Sequence, residues 1–173
     1  MTPTTSSVYE YDGNGGQGVD VYVFDTGINI NHTEFEGRAR WGKTIPANDV
    51  DSDQNGHGTH VAGIIASRKY GVAKKANLIA VKVLGSNGSG TLSGVIAGII
   101  WAVDAAKAAS GRANHKGSVA NMSLGGREKS PSLDDAVNRA VESGLHFAVA
   151  AGTLSILFLE YAAKLLDIRK GSK

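Results

Sequence analysis

The chain has 173 residues, enough for one domain with its own core, and its 42% hydrophobic and 20% charged content excludes whole-chain disorder. A formal net charge of +2, with no basic block longer than Lys74-Lys75, gives no reason to expect nucleic acid as a partner. The absence of cysteine excludes disulfides, thiolate chemistry and cysteine-ligated zinc.

Residues 1–7 carry neither a charged nor an apolar signal region, so no signal peptide is read there. After a glycine-rich stretch, residues 19–24 are β-branched and aromatic and predict a strand that stops at Asp25-Thr26-Gly27. Residues 57–67 predict a helix with apolar residues at Val61, Ile64 and Ile65. A second strand is read over 78–84, followed by a Gly/Ser/Asn turn over 85–90. Residues 92–109 predict a helix with an apolar stripe of Val95, Ile96, Ile99, Ile100 and Val103. A third strand is read over 119–124. Ser130 is placed as N-cap and Pro131 as first residue of a helix to 143, with Leu133, Ala136, Val137, Ala140 and Val141 inward. A fourth strand is read over 146–151.

The strands are apolar on both faces and alternate with helices, which predicts an α/β fold with a mainly parallel sheet covered on both sides. From residue 153 the character changes, and 154–170 predict one amphipathic helix. No apolar run approaches the roughly 20 residues of a membrane span.

Two positions carry chemistry. Asp25 lies at the C-terminal end of a buried strand, where sites form in α/β sheets; as a lone residue it also fits a turn or capping Asp. Asp25-Thr26-Gly27 matches the aspartic peptidase triplet as well, a reading that needs a β-rich fold and a second Asp. His57 opens a helix, where the dipole favours the neutral imidazole of a general base. Its alternative is a metal site with His60, which lacks the Glu of an HExxH pair. Asp51, Asp53, Asn55 and Gly56 resemble the start of an EF-hand loop, but the twelfth position is Ala62. Gly88, Gly90 and Gly94 have the wrong spacing for a dinucleotide loop.

Four motifs follow in order: Val23-Phe24-Asp25-Thr26-Gly27, His57-Gly58-Thr59-His60-Val61-Ala62-Gly63, Asn121-Met122-Ser123-Leu124-Gly125-Gly126 and Ala148-Val149-Ala150-Ala151-Gly152. Over residues 18–152 the chain resembles the subtilisin-like serine peptidases, most of all their proteinase K and fungal vacuolar branch. The resemblance implies a three-layer α/β/α sandwich, here partial and C-terminally truncated. It implies a peptidase in which Asp25 orients His57 and His57 takes the proton of a nucleophilic serine, with His60 as a buried packing residue. Gly88-Ser89-Gly90 and Ser123-Leu124-Gly125 would be the two edges that pair with an extended peptide, and Ala150 and Gly152 would line the first specificity pocket.

Two departures stand out. Thr153 occupies the position where the family has an oxyanion-binding Asn, and no Gly-Thr-Ser-x-Ala segment occurs in the 173 residues. Ser89 and Ser123 belong to the substrate edges and Ser155 to the tail, so none is read as a replacement. The expectation is an inactive chain, with 1–152 as the front of a peptidase domain and 153–173 as an unrelated tail. The alternatives are a non-catalytic peptide-binding module and a fragment without function. Partners are expected to be extended peptides or proteins. No cofactor is expected; the resemblance leaves calcium open without residues here that support it. Relatives are secreted or vacuolar, which leaves the compartment of this chain undetermined. Asn31, Asn87 and Asn121 fit the N-glycosylation pattern, the last inside a predicted strand.

Overall fold

The computed structural model describes residues 10–126 and 130–150. The expected change of character at 153, the tail helix, Gly152 and Thr153 all lie outside the described residues.

Five strands form one parallel sheet: β1 (Val19–Asp25), β2 (Ala39–Thr44), β3 (Asn77–Lys82), β4 (Gly117–Met122) and β5 (His146–Val149), in the order β2-β3-β1-β4-β5. Helices α1 (His57–Ala66), α2 (Leu92–Ala109) and α3 (Pro131–Glu142) connect them. β1 reads VDVYVFD and is buried from Asp20 to Asp25. Alternation along it separates two cores. Val21 and Val23 pack with Leu78, Ala80, Val61, Ala62 and Ala66, hence with α1. Tyr22 and Phe24 pack with Ile79, Val81, Val95, Ile99, Val137 and Ala140, hence with α2 and α3. The molecule is the expected three-layer α/β/α sandwich.

The topology positions the site. From β2 onward every crossover steps the same way across the sheet, yet α1 covers one face while α2 and α3 cover the other. The β2–α1–β3 connection therefore has the opposite hand to the two that follow it, in a class of connection that is nearly always right-handed. β1 is flanked by β3 and β4, which the chain reaches on opposite sides, so the carboxyl end of β1 is a switch point where a crevice opens.

Helix starts follow their local chemistry. The Ser130 hydroxyl accepts from Leu133 N–H at 3.2 Å with Pro131 behind it, and Thr91 caps α2 by accepting from Gly94 N–H at 3.0 Å. α2 is long and apolar enough to cross a membrane by length and composition, contrary to the reading that no apolar run approached that length. Its buried face of Val95, Gly98, Ile99 and Ala102 packs on the sheet, as core helices do.

Three expectations need correction. β2 went unread, so the described residues hold five strands rather than four. Ile64 and Ile100 are 54% and 59% exposed, because the faces α1 and α2 bury are narrower than their apolar stripes. His60 is exposed, not buried: the inward residues of α1 are Gly58, Val61, Ala62 and Ala66, and His60 shares the outward face with His57 and Ile64.

Candidate active site

Asp25 is the last residue of β1 and its side chain is fully buried. Thr26 N–H donates to its Oδ1 at 2.8 Å. His57 is the first residue of α1 and places Nδ1 2.8 Å from Oδ1 and 2.9 Å from Oδ2 of Asp25. A carboxylate only accepts, so in this pair the proton sits on Nδ1 and the lone pair of Nε2 faces outward. The His57 side chain is 51% exposed, which leaves Nε2 open to a reacting group. Among the described residues no serine hydroxyl is hydrogen-bonded to it.

Gly58 makes this closeness feasible. A Cβ there would overlap the Gly27 carbonyl oxygen and lie 3.1 Å from both Asp25 Cβ and Gly27 N. The first turn of α1 therefore rests directly on the backbone that leaves β1.

A second carboxylate secures that turn. Asp53 Oδ1 accepts from Gly56 N–H at 2.8 Å and Thr26 Oγ1 at 2.9 Å, and Oδ2 accepts from Thr59 N–H at 2.9 Å. Burial pushes the Asp53 carboxyl up, but its bonds from Thr59, Gly56 and Thr26 outweigh this and hold it below the ordinary carboxylate range. The same loop is held from beneath by Lys82. This fully buried side chain donates to Asp49 Oδ1 at 2.8 Å, Ser52 O at 2.9 Å and Val50 O at 3.3 Å. Its ammonium, with Val50 N–H, holds the Asp49 carboxyl below its usual range.

The expected substrate edges leave the carboxyl ends of β3 and β4, the two strands beside β1. Gly88, Ser89 and Gly90 are exposed in a turn closed by Gly85 N–H donating to Ser89 O at 2.9 Å. Gly88 has φ +75°, a conformation that favours glycine. Ser123 and Leu124 are half-buried and Gly125 is exposed; Asn121 Nδ2 donates to Ser123 Oγ at 3.0 Å. Ala150 is exposed beyond β5, its N–H donating to Met122 O at 3.1 Å. Asn55 links the pair to one edge: its Oδ1 accepts from His57 N–H at 3.3 Å and its Nδ2 donates to Ser86 O at 2.8 Å.

The rival readings do not fit this geometry. A parallel α/β sheet is not the β-rich fold of an aspartic peptidase. Among the described residues no three His, Asp or Glu side chains converge as metal ligands. Asp53, the third position of the apparent EF-hand loop, spends both oxygens inside the protein. Sequence reasoning missed Asp53, Asn55 and Lys82 as supports. Lys82 did carry a signal, as a lysine inside a buried strand.

Comparison with known proteins bears on the same residues. The model of the subtilase family matches residues 16–164. Alkaline protease 2 of Aspergillus fumigatus is 62% identical over 154 residues, covering 86% of this chain and 31% of that protein. Subtilisin-like serine protease pepC of Aspergillus niger is 64% identical over 150 residues, 83% of this chain and 28% of that protein. The crystal structure of a cold adapted subtilisin-like serine proteinase superposes with a TM-score of 0.73 at 50% identity, over 84% of this chain and 50% of that one. The chain thus spans less than a third of the length of the curated relatives it matches.

Proposed function

The chain belongs to the subtilase family, and from that premise we propose that Asp25 and His57 are the orienting acid and general base of a serine endopeptidase site acting on extended peptides. The bond from His57 Nδ1 to Asp25 at 2.8 Å carries the proposal. Asp25 fixes the tautomer and would stabilise the imidazolium formed when Nε2 takes a proton from a serine hydroxyl. The residues 88–90 and 123–125 support a strand-like peptide between them, because the chain beyond β3 is exposed and the chain beyond β4 is half-buried to exposed, which leaves main-chain groups for hydrogen bonds. Ala150 and Gly152 are assigned to the pocket beside the cleaved bond, and Thr153 to the oxyanion position.

We further propose that these 173 residues on their own bind peptide without turnover, because the sequence holds no Gly-Thr-Ser-x-Ala segment. Positioning of a base without its nucleophile leaves only weak activation of water.

A chimera tests the first proposal. Residues 1–152 replace the corresponding segment of the Aspergillus fumigatus relative, and hydrolysis of a fluorogenic peptide is followed. The expected result is an active peptidase that His57→Ala and Asp25→Ala inactivate. Activity indifferent to His57→Ala would refute the assignment. For the chain alone, an extended peptide should shift amide resonances of 85–90 and 123–125 with no product formed.

A further inference from the structure

The Asp25–His57 contact depends on backbone placement, because the His57 side chain is half exposed and its ring is hydrogen-bonded to Asp25 alone among the described residues. The first turn of a helix leaves four N–H groups without intrahelical partners. In α1 the usual remedy is missing: the N-cap is Gly56, at φ 97°, with no capping side chain and no acidic residue in the first turn. We propose that Asp53, three residues upstream, is the positioning residue that fixes His57 against Asp25. This rests on the reading of those two residues as acid and base.

Each oxygen of Asp53 has a separate task. Oδ1 accepts from Asn55 N–H at 3.1 Å, Gly56 N–H at 2.8 Å and Thr26 Oγ1 at 2.9 Å. Oδ2 accepts from Thr59 N–H at 2.9 Å and Thr59 Oγ1 at 2.5 Å. One carboxylate thus grips the helix on both sides of His57. Its third tie runs to the residue that follows Asp25. Thr26 Oγ1 completes the loop by accepting from Gly58 N–H at 3.0 Å. Thr59 Oγ1 in turn accepts from Asn29 N–H at 2.8 Å, which binds the chain after β1 to the same turn. The hydrogen bonds form an uninterrupted path from Asp25 through Thr26, Asp53 and Thr59 to the helix that bears His57. A negative charge at this helix end is stabilised by the dipole, and the depressed carboxyl agrees with an acceptor-only role. Asparagine cannot replace it. Its NH₂ would face either Thr59 N–H or the Gly56 and Asn55 N–H groups, donor against donor.

The experiment follows the far-downfield proton of His57 Nδ1 by NMR in the whole chain, beside thermal melts. Asp53→Asn should abolish that resonance. Val137→Ala, in the core under α3 on the other face of the sheet, should lower Tm and leave the resonance in place. A parent chain without the resonance would remove the acid–base pairing itself, and this inference with it. A parent that shows it and an Asp53→Asn variant that keeps it would overturn the positioning role alone. If Asp53→Asn does not fold, Thr59→Val decides: loss or upfield movement of the resonance supports the role, and an unchanged resonance overturns it.

Discussion

Replacing Gly58 by alanine should separate the acid from the base while leaving the rest of the sheet assembled. The added Cβ would meet Gly27 O at an overlap of roughly an ångström relative to ordinary contact, with Gly27 N and Asp25 Cβ both at 3.1 Å. All three neighbours are main chain or the first side-chain atom of a buried strand, so none can swing aside. The first turn of α1 must lift instead. His57 Nδ1 stands 2.8 Å from Asp25, and a lift of about an ångström carries it beyond hydrogen-bond range. Overpacking of this kind costs about 1–3 kcal/mol, a fall in Tm of roughly 2–4 °C per kcal/mol for a domain near this size. In the chimeric peptidase, a misplacement of about 1 Å at the base should lower kcat on the order of 100-fold. The assay pairs a thermal melt with the His57 Nδ1 proton resonance and with chimera turnover. A Gly58→Ala chain that keeps both its resonance and its kcat would show that α1 does not rest on β1 as described.

Asp49 and Asp53 both ionise below the ordinary carboxylate value in the fold. Their contribution to stability is therefore complete above about pH 4–5 and is lost as pH falls through their folded values. Denaturation midpoints measured from pH 6 to pH 3 should decline on the acid side, and less steeply in Lys82→Met, since the Lys82 hydrogen bond is the main cause of the Asp49 shift; an equal slope would remove that cause. Lys82→Met should also lower Tm and speed amide exchange over 49–56 while leaving β4 and β5 protected, because three acceptors lose their donor. A serine-directed fluorophosphonate should label no residue of the isolated chain. In subtilisin itself loss of the serine costs on the order of 10⁶ in turnover, so labelling that His57→Ala abolishes would expose a nucleophile elsewhere.

How much of this was legible depends on whether a residue's role is local. β1 and β3 were readable because buried parallel strands are apolar on both faces, β4 and β5 because their sequences are apolar although burial there is partial, and α3 because Ser130 and Pro131 announce it. β2 was not, since ARWGKT buries only Ala39. Arg40 and Lys43 are exposed on an edge strand that discourages pairing with other chains. Gly42 weakens a strand pattern, yet a Cβ there would meet Ile79 Cγ2 at 2.6 Å and Ala80 O at 2.8 Å. Asp25 and His57 were legible as motifs. Asp53 was not, because its meaning lies in bonds to Thr26, 27 residues back, and to Thr59, six ahead.

The choice between the two histidines of the motif follows from helix geometry. In a parallel β–α–β connection the helix runs back against the strands, so its N-terminus lies beside their carboxyl ends. Asp25 closes β1 and His57 opens α1, and the two meet at that edge. His60 is three residues on, about 4.5 Å further along the axis at 1.5 Å per residue, and so away from the strand end that Asp25 closes. The starts of α2 and α3, Thr91 and Ser130, are N-termini at the same carboxyl end of the sheet, although on its other face. Three positive helix ends thus lie at the carboxyl edge of the sheet, where the peptide we propose between 88–90 and 123–125 would offer them its carbonyl oxygens. Against that field Asp25 and Asp53 supply the local negative charge, one on the ring of His57 and one on the backbone that carries it. Removing either should cost the same resonance by different routes: Asp25→Asn because Thr26 N–H holds the amide oxygen and the NH₂ then donates to Nδ1, moving the ring proton to Nε2, Asp53→Asn by letting the helix drift from it.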